Sequence, residues 1–109
     1  MELKRNIVPE TKLTPEGEEP FYIVCCECAG DFIGHILRRD GREVWLGDVR
    51  EVLFQGYDVF ELALNGPENA DECTVSAALE SACVLDAVLM VRCTERAAAK
   101  ILGSIENRD

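Results

Sequence analysis

The residues of this chain best suited to chemistry are cysteines, in the run Cys25-Cys26-Glu27-Cys28-Ala29-Gly30. Cys25 and Cys28 have the Cys-x-x-Cys spacing that lets two thiolates reach one tetrahedral zinc ion. The glycine behind them frees backbone amides to hydrogen-bond the sulfurs. A structural zinc site takes four ligands, and there is no second Cys-x-x-Cys: Cys73, Cys83 and Cys93 stand apart from one another. The single histidine, His35, becomes a third ligand if the chain after Cys28 folds back as a hairpin. The metal reading therefore names Cys25, Cys28 and His35, with zinc as cofactor. The plainer reading needs no cofactor, because cysteine is among the most buried residue types and packs as a small hydrophobe. On a strand, Cys26 and Cys28 would face one way and Cys25 the other.

A second chemistry is thiol redox. If residues 31–40 form a helix, the helix N-terminus lowers the thiol pKa and makes thiolate available at neutral pH. A strand, then Cys-x-x-Cys, then a helix is similar to the arrangement of thioredoxin-like proteins. That resemblance implies Cys25 as nucleophile and Cys28 as resolving thiol. The chain departs from the pattern in having an extra cysteine inside the motif and no proline where a cis-proline would precede a later strand.

Other constellations are weaker. Asp58 and Glu61 flank an expected strand, and Asp71 and Glu72 lie at an expected helix start, where they suit the dipole. No Lys-Ser/Thr follows Gly30 or Gly34, as a phosphate loop requires. Ser76, Ser81 and Ser104 read as ordinary helix residues.

The elements that must position these groups follow from pattern. Residues 1–19 read as an arm, with many charges and no sustained periodicity; 20–109 reads as one domain. Phe21 to Cys28 is dense in aromatic, β-branched and cysteine residues, a strand apolar on both faces and hence central. Residues 29–47 admit a hairpin or a helix over 31–40. The hairpin is favoured, because Asp40-Gly41 suits a tight turn; it would pair Leu37 with Val44 and Ile36 with Trp45. Asp48, Glu51 and Gly56 suggest a short capped helix over 48–55. Residues 57–64 alternate as a strand, and Asn65-Gly66-Pro67 is a loop. Val75, Leu79, Ala82 and Cys83 have helical spacing, which predicts a helix over 70–85. Ala87 to Arg92 reads as a buried strand, and Thr94 caps a last helix with Ala97, Ala98, Ile101, Leu102 and Ile105 inward. The expected fold is α+β: a two-layer sandwich with a mixed four- to five-stranded sheet and the helices of the C-terminal half on one face. A thioredoxin-like α/β layout is the alternative.

Composition narrows function. Hydrophobic residues make up 48% and charged residues 29%, which suits a folded globular chain. Twenty-one acidic against eleven basic residues give a net charge of −10. Such a surface repels nucleic-acid phosphates and anionic membranes, and the basic residues are scattered apart from Arg38, Arg39 and Arg42. A basic protein partner or self-association is compatible with it. No run has the ~18 apolar residues of a membrane span, and an export signal is not evident, so a reducing, cytoplasmic setting is expected for the six cysteines. The expected function is a small protein-interaction or regulatory module without catalytic activity. The alternative is a zinc or thiol-redox protein built on Cys25 and Cys28.

Overall fold

The computed structural model describes residues 19–54, 58–69 and 72–108. The described elements are β1 (Tyr22–Cys26), β2 (Asp31–Asp40), β3 (Glu43–Phe54), α1 (Val59–Asn65), β4 (Cys73–Val75), β5 (Leu79–Val84), β6 (Ala87–Arg92) and α2 (Glu95–Arg108). All the strand pairs are antiparallel. The sheet runs β4-β3-β2-β1-β6, and β5 also pairs with β3. This overturns the expected mixed sheet with a strand–helix–strand–helix second half. The thioredoxin-like alternative falls with it, because the segment after the cysteines is β2 and not a helix.

The sheet is curled, and the reason lies in two residues. Only Leu85 and Asp86 link β5 to β6, yet β5 pairs with β3 and β6 pairs with β1, on opposite sides of the β3-β2-β1 run. A link that short brings the two sides round toward each other, and the Ala87 N–H donates to the Arg42 carbonyl at the β2–β3 turn, 3.0 Å away. Strand alternation then fills both faces. Val24, Val44, Leu46, Val49, Val84 and Ala87 form the cluster inside the curl. On the outer face, Ile23, Ile33 and Val52 pack against Leu62 and Ala63 of α1 and Ala98 and Ile101 of α2.

β3 holds the architecture together because it serves different partners along its length. Residues 44–49 pair with β5 and residues 52–54 with β4, while β2 lies along the other edge. Asp48 adopts φ 50°, and the β2–β3 register shifts between Ile33 and His35. The extra residue makes a bulge that changes which residues face inward: Val44 and Leu46 before it, Val49 after it. Asp48, read as a helix cap, is this bulge residue, and the described part of the helix expected over 48–55, residues 48–54, is the second half of β3; residue 55 lies outside the described residues.

The expected hairpin is present with a shifted register. Asp40 pairs with Glu43, so Gly41 and Arg42 are the central turn residues, and Gly41 takes φ 63°. Glycine at the first central position fits the type II′ pattern better than the expected Asp-Gly pair. Arg38 therefore meets Trp45, with its guanidinium 4.3 Å from the ring centroid, and Arg39 meets Val44.

Two further expectations fail. Residues 59–65 form α1, where a strand was expected over 57–64; Asp58 is the N-cap and accepts from the Phe60 N–H. Of the helix expected over 70–85, residues 70 and 71 lie outside the described residues, and the rest carries instead β4 and β5, whose backbone groups are taken up by β3. The strands at 22–26 and 87–92 stand where expected, and β1 is interior. Thr94 caps α2, accepting from the Ala97 N–H at 3.0 Å and donating to the Leu64 carbonyl at 2.8 Å. The arm read over 1–19 lies outside the described residues except for Glu19.

Candidate functional site

Two places gather side chains of chemical interest. The first is the corner where the β1–β2, β2–β3 and β5–β6 turns meet. Asp86 organises it: its Oδ2 accepts from the Cys28 N–H at 2.8 Å, while its carbonyl accepts from the Glu27 N–H at 3.0 Å. The Cys28 N–H bond to the carboxylate, with Cys26 and the Ala29 amide adding to it, holds the Asp86 carboxyl below its usual range. Arg42 crosses the corner, donating to Glu27 at 2.6 Å and to the Ala87 carbonyl at 3.3 Å. The Arg42–Glu27 pair is exposed and so contributes little stability.

The cysteines of this corner are separated by the strand alternation that carries them. Cys25 packs against the helix-side core and Cys26 against the core inside the curl, while Cys28 is exposed in the turn. Burial, with Asp31 beside it, pushes the Cys25 thiol up to about 12. Burial, with Asp86 beside it, pushes Cys26 up to about 11. Both causes disfavour thiolate, the reverse of what a redox nucleophile needs.

The second place is a groove of about 720 Å³ between α2 and the start of the sheet. One wall is the face of α2 made by Glu95, Ala98, Ala99 and Leu102, residues spaced to share one side of a helix. The small Ala98 and Ala99 leave the space that larger residues would fill. The opposite wall is Phe21 stacked on His35, with ring centroids 3.9 Å apart. His35 Nδ1 lies 2.9 Å from the Pro20 carbonyl. A carbonyl can only accept, so Nδ1 carries the proton, and the bond fixes the ring against the start of β1. Glu19 and Pro20 line the groove at the entry of the chain, and Arg92, Cys93 and Thr94 line its end.

The sequence candidates are thus divided between the two places. Cys25 pairs with Asp31, and His35 lies four residues further along β2, roughly 13 Å at a strand's rise. Cys25 and Cys28 stay near the corner while His35 lines the groove. Among the described residues no group of three or more His, Cys, Asp or Glu side chains is placed to hold a metal ion. The groove residues were not legible beforehand. They come from four separate stretches, and the nearest signal is the Ala97-Ala98-Ala99 run, which reads first as helix core.

No curated protein and no solved structure matches this chain. Among the described residues no helix is long and apolar enough to cross a membrane. A family model matches residues 20–101, from the proline that accepts from His35 to the Ile101 of the α2 core. On that match, covering most of its length, the chain belongs to the family described as Domain of unknown function (DUF6948).

Proposed function

We propose that this domain is a protein-interaction module without catalytic activity, acting in the cytoplasm, and that it holds a segment of a protein partner in the groove between α2 and the Phe21–His35 wall. The groove carries the reading. Its volume of about 720 Å³ falls inside the ~300–1,000 Å³ range of ligand sites. Its lining sets apolar Phe21, Ala98, Ala99 and Leu102 beside a few polar groups, among them His35, Arg92 and Glu95, as recognition sites do. The net charge of −10, with Glu19 and Glu95 at the groove, favours a partner with basic residues flanking an apolar one. Six cysteines held as free thiols, Cys28 and Cys83 among them exposed, suit a reducing compartment.

The test is selection from a random peptide display library on the purified protein. The reading expects enriched peptides that share an apolar residue beside basic ones. Ala99→Trp, which fills the groove from an exposed helix position, is expected to weaken their binding by about tenfold or more. Enriched peptides that bind Ala99→Trp as well as the parent would overturn the groove as the site.

A further inference from the structure

The described chain begins at the groove. Glu19 is its first residue and lines the groove with Pro20. The family match starts at residue 20, so residues 1–18 belong neither to it nor to the described residues. Whatever they do, they are tethered at the mouth of the site.

The composition of that segment complements the groove. Ile7 and Val8 are adjacent apolar residues, with Lys4 and Arg5 on one side and Lys12 on the other. The groove sets apolar Phe21, Ala98, Ala99 and Leu102 between Glu19 at its mouth and Glu95 on α2. Arg92 stands cross-strand from Tyr22, which packs inside the curl, so it meets the groove through its backbone. Residues 1–13 hold three basic and two acidic side chains, whereas residues 14–109 hold eight basic and nineteen acidic. The segment thus has the opposite sign to the body that carries it, and the two attract.

The direction of the chain fits as well. Thr14-Pro15-Glu16-Gly17 has proline second and glycine fourth, the pattern of a type I β-turn. A reversal there brings Lys12 back beside Glu19 and carries Ile7 and Val8 along the groove. The tether makes weak contacts sufficient. At an effective concentration on the order of millimolar, a segment whose free Kd is only ~0.1 mM fills the groove about nine-tenths of the time. It then raises the apparent Kd of any outside ligand about tenfold.

We propose that residues 4–12 of this chain occupy the groove in the absence of a partner, with Ile7 and Val8 in its apolar part, and that a partner binds by displacing them. This rests on the groove as the binding site and adds how that site is regulated.

Amide NMR spectra of the full chain, reduced, test it. Ile7→Asp combined with Val8→Asp is expected to shift the signals of Phe21, His35, Ala98 and Ala99 and to leave those of β4 and β5 in place. Ala99→Trp, which fills the groove from the other side, is expected to shift the signals of residues 4–12. Both effects should survive tenfold dilution, because segment and groove belong to one molecule. Peptides selected by display are expected to bind the double variant about tenfold more tightly than the parent. Groove signals indifferent to the double variant, or segment signals indifferent to Ala99→Trp, overturn the proposal. Effects that fade on dilution overturn it too, since they make the occupant a second copy. Peptides that bind parent and double variant alike, yet lose affinity in Ala99→Trp, overturn the displacement and leave the groove standing as the partner site. Segment and groove signals that respond to each other while no peptide binds support the occupant and overturn the partner reading instead.

Discussion

Cys25, Cys26 and Cys93 act in this protein through what burial does to their acidity. The Cys93 thiol, enclosed beneath α2, is pushed up to about 12, like Cys25, and Cys26 to about 11. In the unfolded chain the same thiols ionise near 9. Between these values the unfolded state releases protons that the native state keeps, so their contribution to stability is full below pH 9 and is lost as pH rises through 11 to 12. Melting temperature is therefore expected to fall steadily from about pH 9 upward. Cys93→Ala is expected to flatten that limb while lowering stability at neutral pH, as scanning calorimetry of both forms would read. Iodoacetamide mass mapping at neutral pH should leave Cys25 and Cys93 unmodified until the protein unfolds. Asp86 has the opposite sign. Its carboxyl is held low by the amides it accepts from, so its contribution is present above about pH 3.8 and disappears as acid protonates it. Asp86→Ala is expected to remove the acid sensitivity of the corner and to loosen the β1–β2 turn, seen as faster amide exchange at Cys28.

Among the elements, the join between α1 and α2 is the tightest. Gly66 caps α1 at φ 76°, its N–H donating to the Leu62 carbonyl at 2.8 Å. A Cβ there would lie 2.9 Å from Lys100 Cβ and 3.2 Å from Ala97 Cα. Gly66→Ala is expected to cost about 1–3 kcal/mol, through the left-handed conformation and the crowding together, read from urea unfolding. The same join shows how far local pattern carries. Asp58-x-x-Glu61 followed by Leu62 is a helix start, yet the alternation of 57–64 also fits a strand, and packing on α2 decides between them. Val75, Leu79, Ala82 and Cys83 have helical spacing, but β3 offers a hydrogen-bonding edge that draws their stretch into β4 and β5. The Asp48–Glu51–Gly56 pattern looks like caps because Asp tolerates the positive φ of a bulge for the same reason it suits turns. β1, β6 and the Thr94 cap were legible because each carries its own signal: a run apolar on both faces, or a hydroxyl placed before a helix. The groove has no such local signal, since its walls meet only after the chain has folded.

At the scale of the whole molecule, charge opposes the fold it also keeps dispersed. A net charge of −10 on 109 residues repels itself across the native surface. Raising ionic strength from about 0.01 to 0.15 M shortens the screening length from about 30 to 8 Å. Melting temperature at neutral pH is therefore expected to rise with added sodium chloride. A fall would mean that attractive pairs such as Arg42–Glu27 outweigh the repulsion.

The antiparallel partnership of β1 with β6 reaches from Tyr22 to Arg92. On the ribosome, β1 emerges before the other described elements and its partner β6 after every other described strand. The β2–β3 hairpin can form from neighbouring residues, but the curl cannot close until β6 is out. Folding of the sheet thus waits until Arg92 has emerged, and loop closure over that span puts it in the slow class, milliseconds to seconds, typical of non-local β topologies. During translation the apolar faces of β1 and of the hairpin stand uncovered, which makes the nascent chain, rather than the finished protein, the form most dependent on a chaperone.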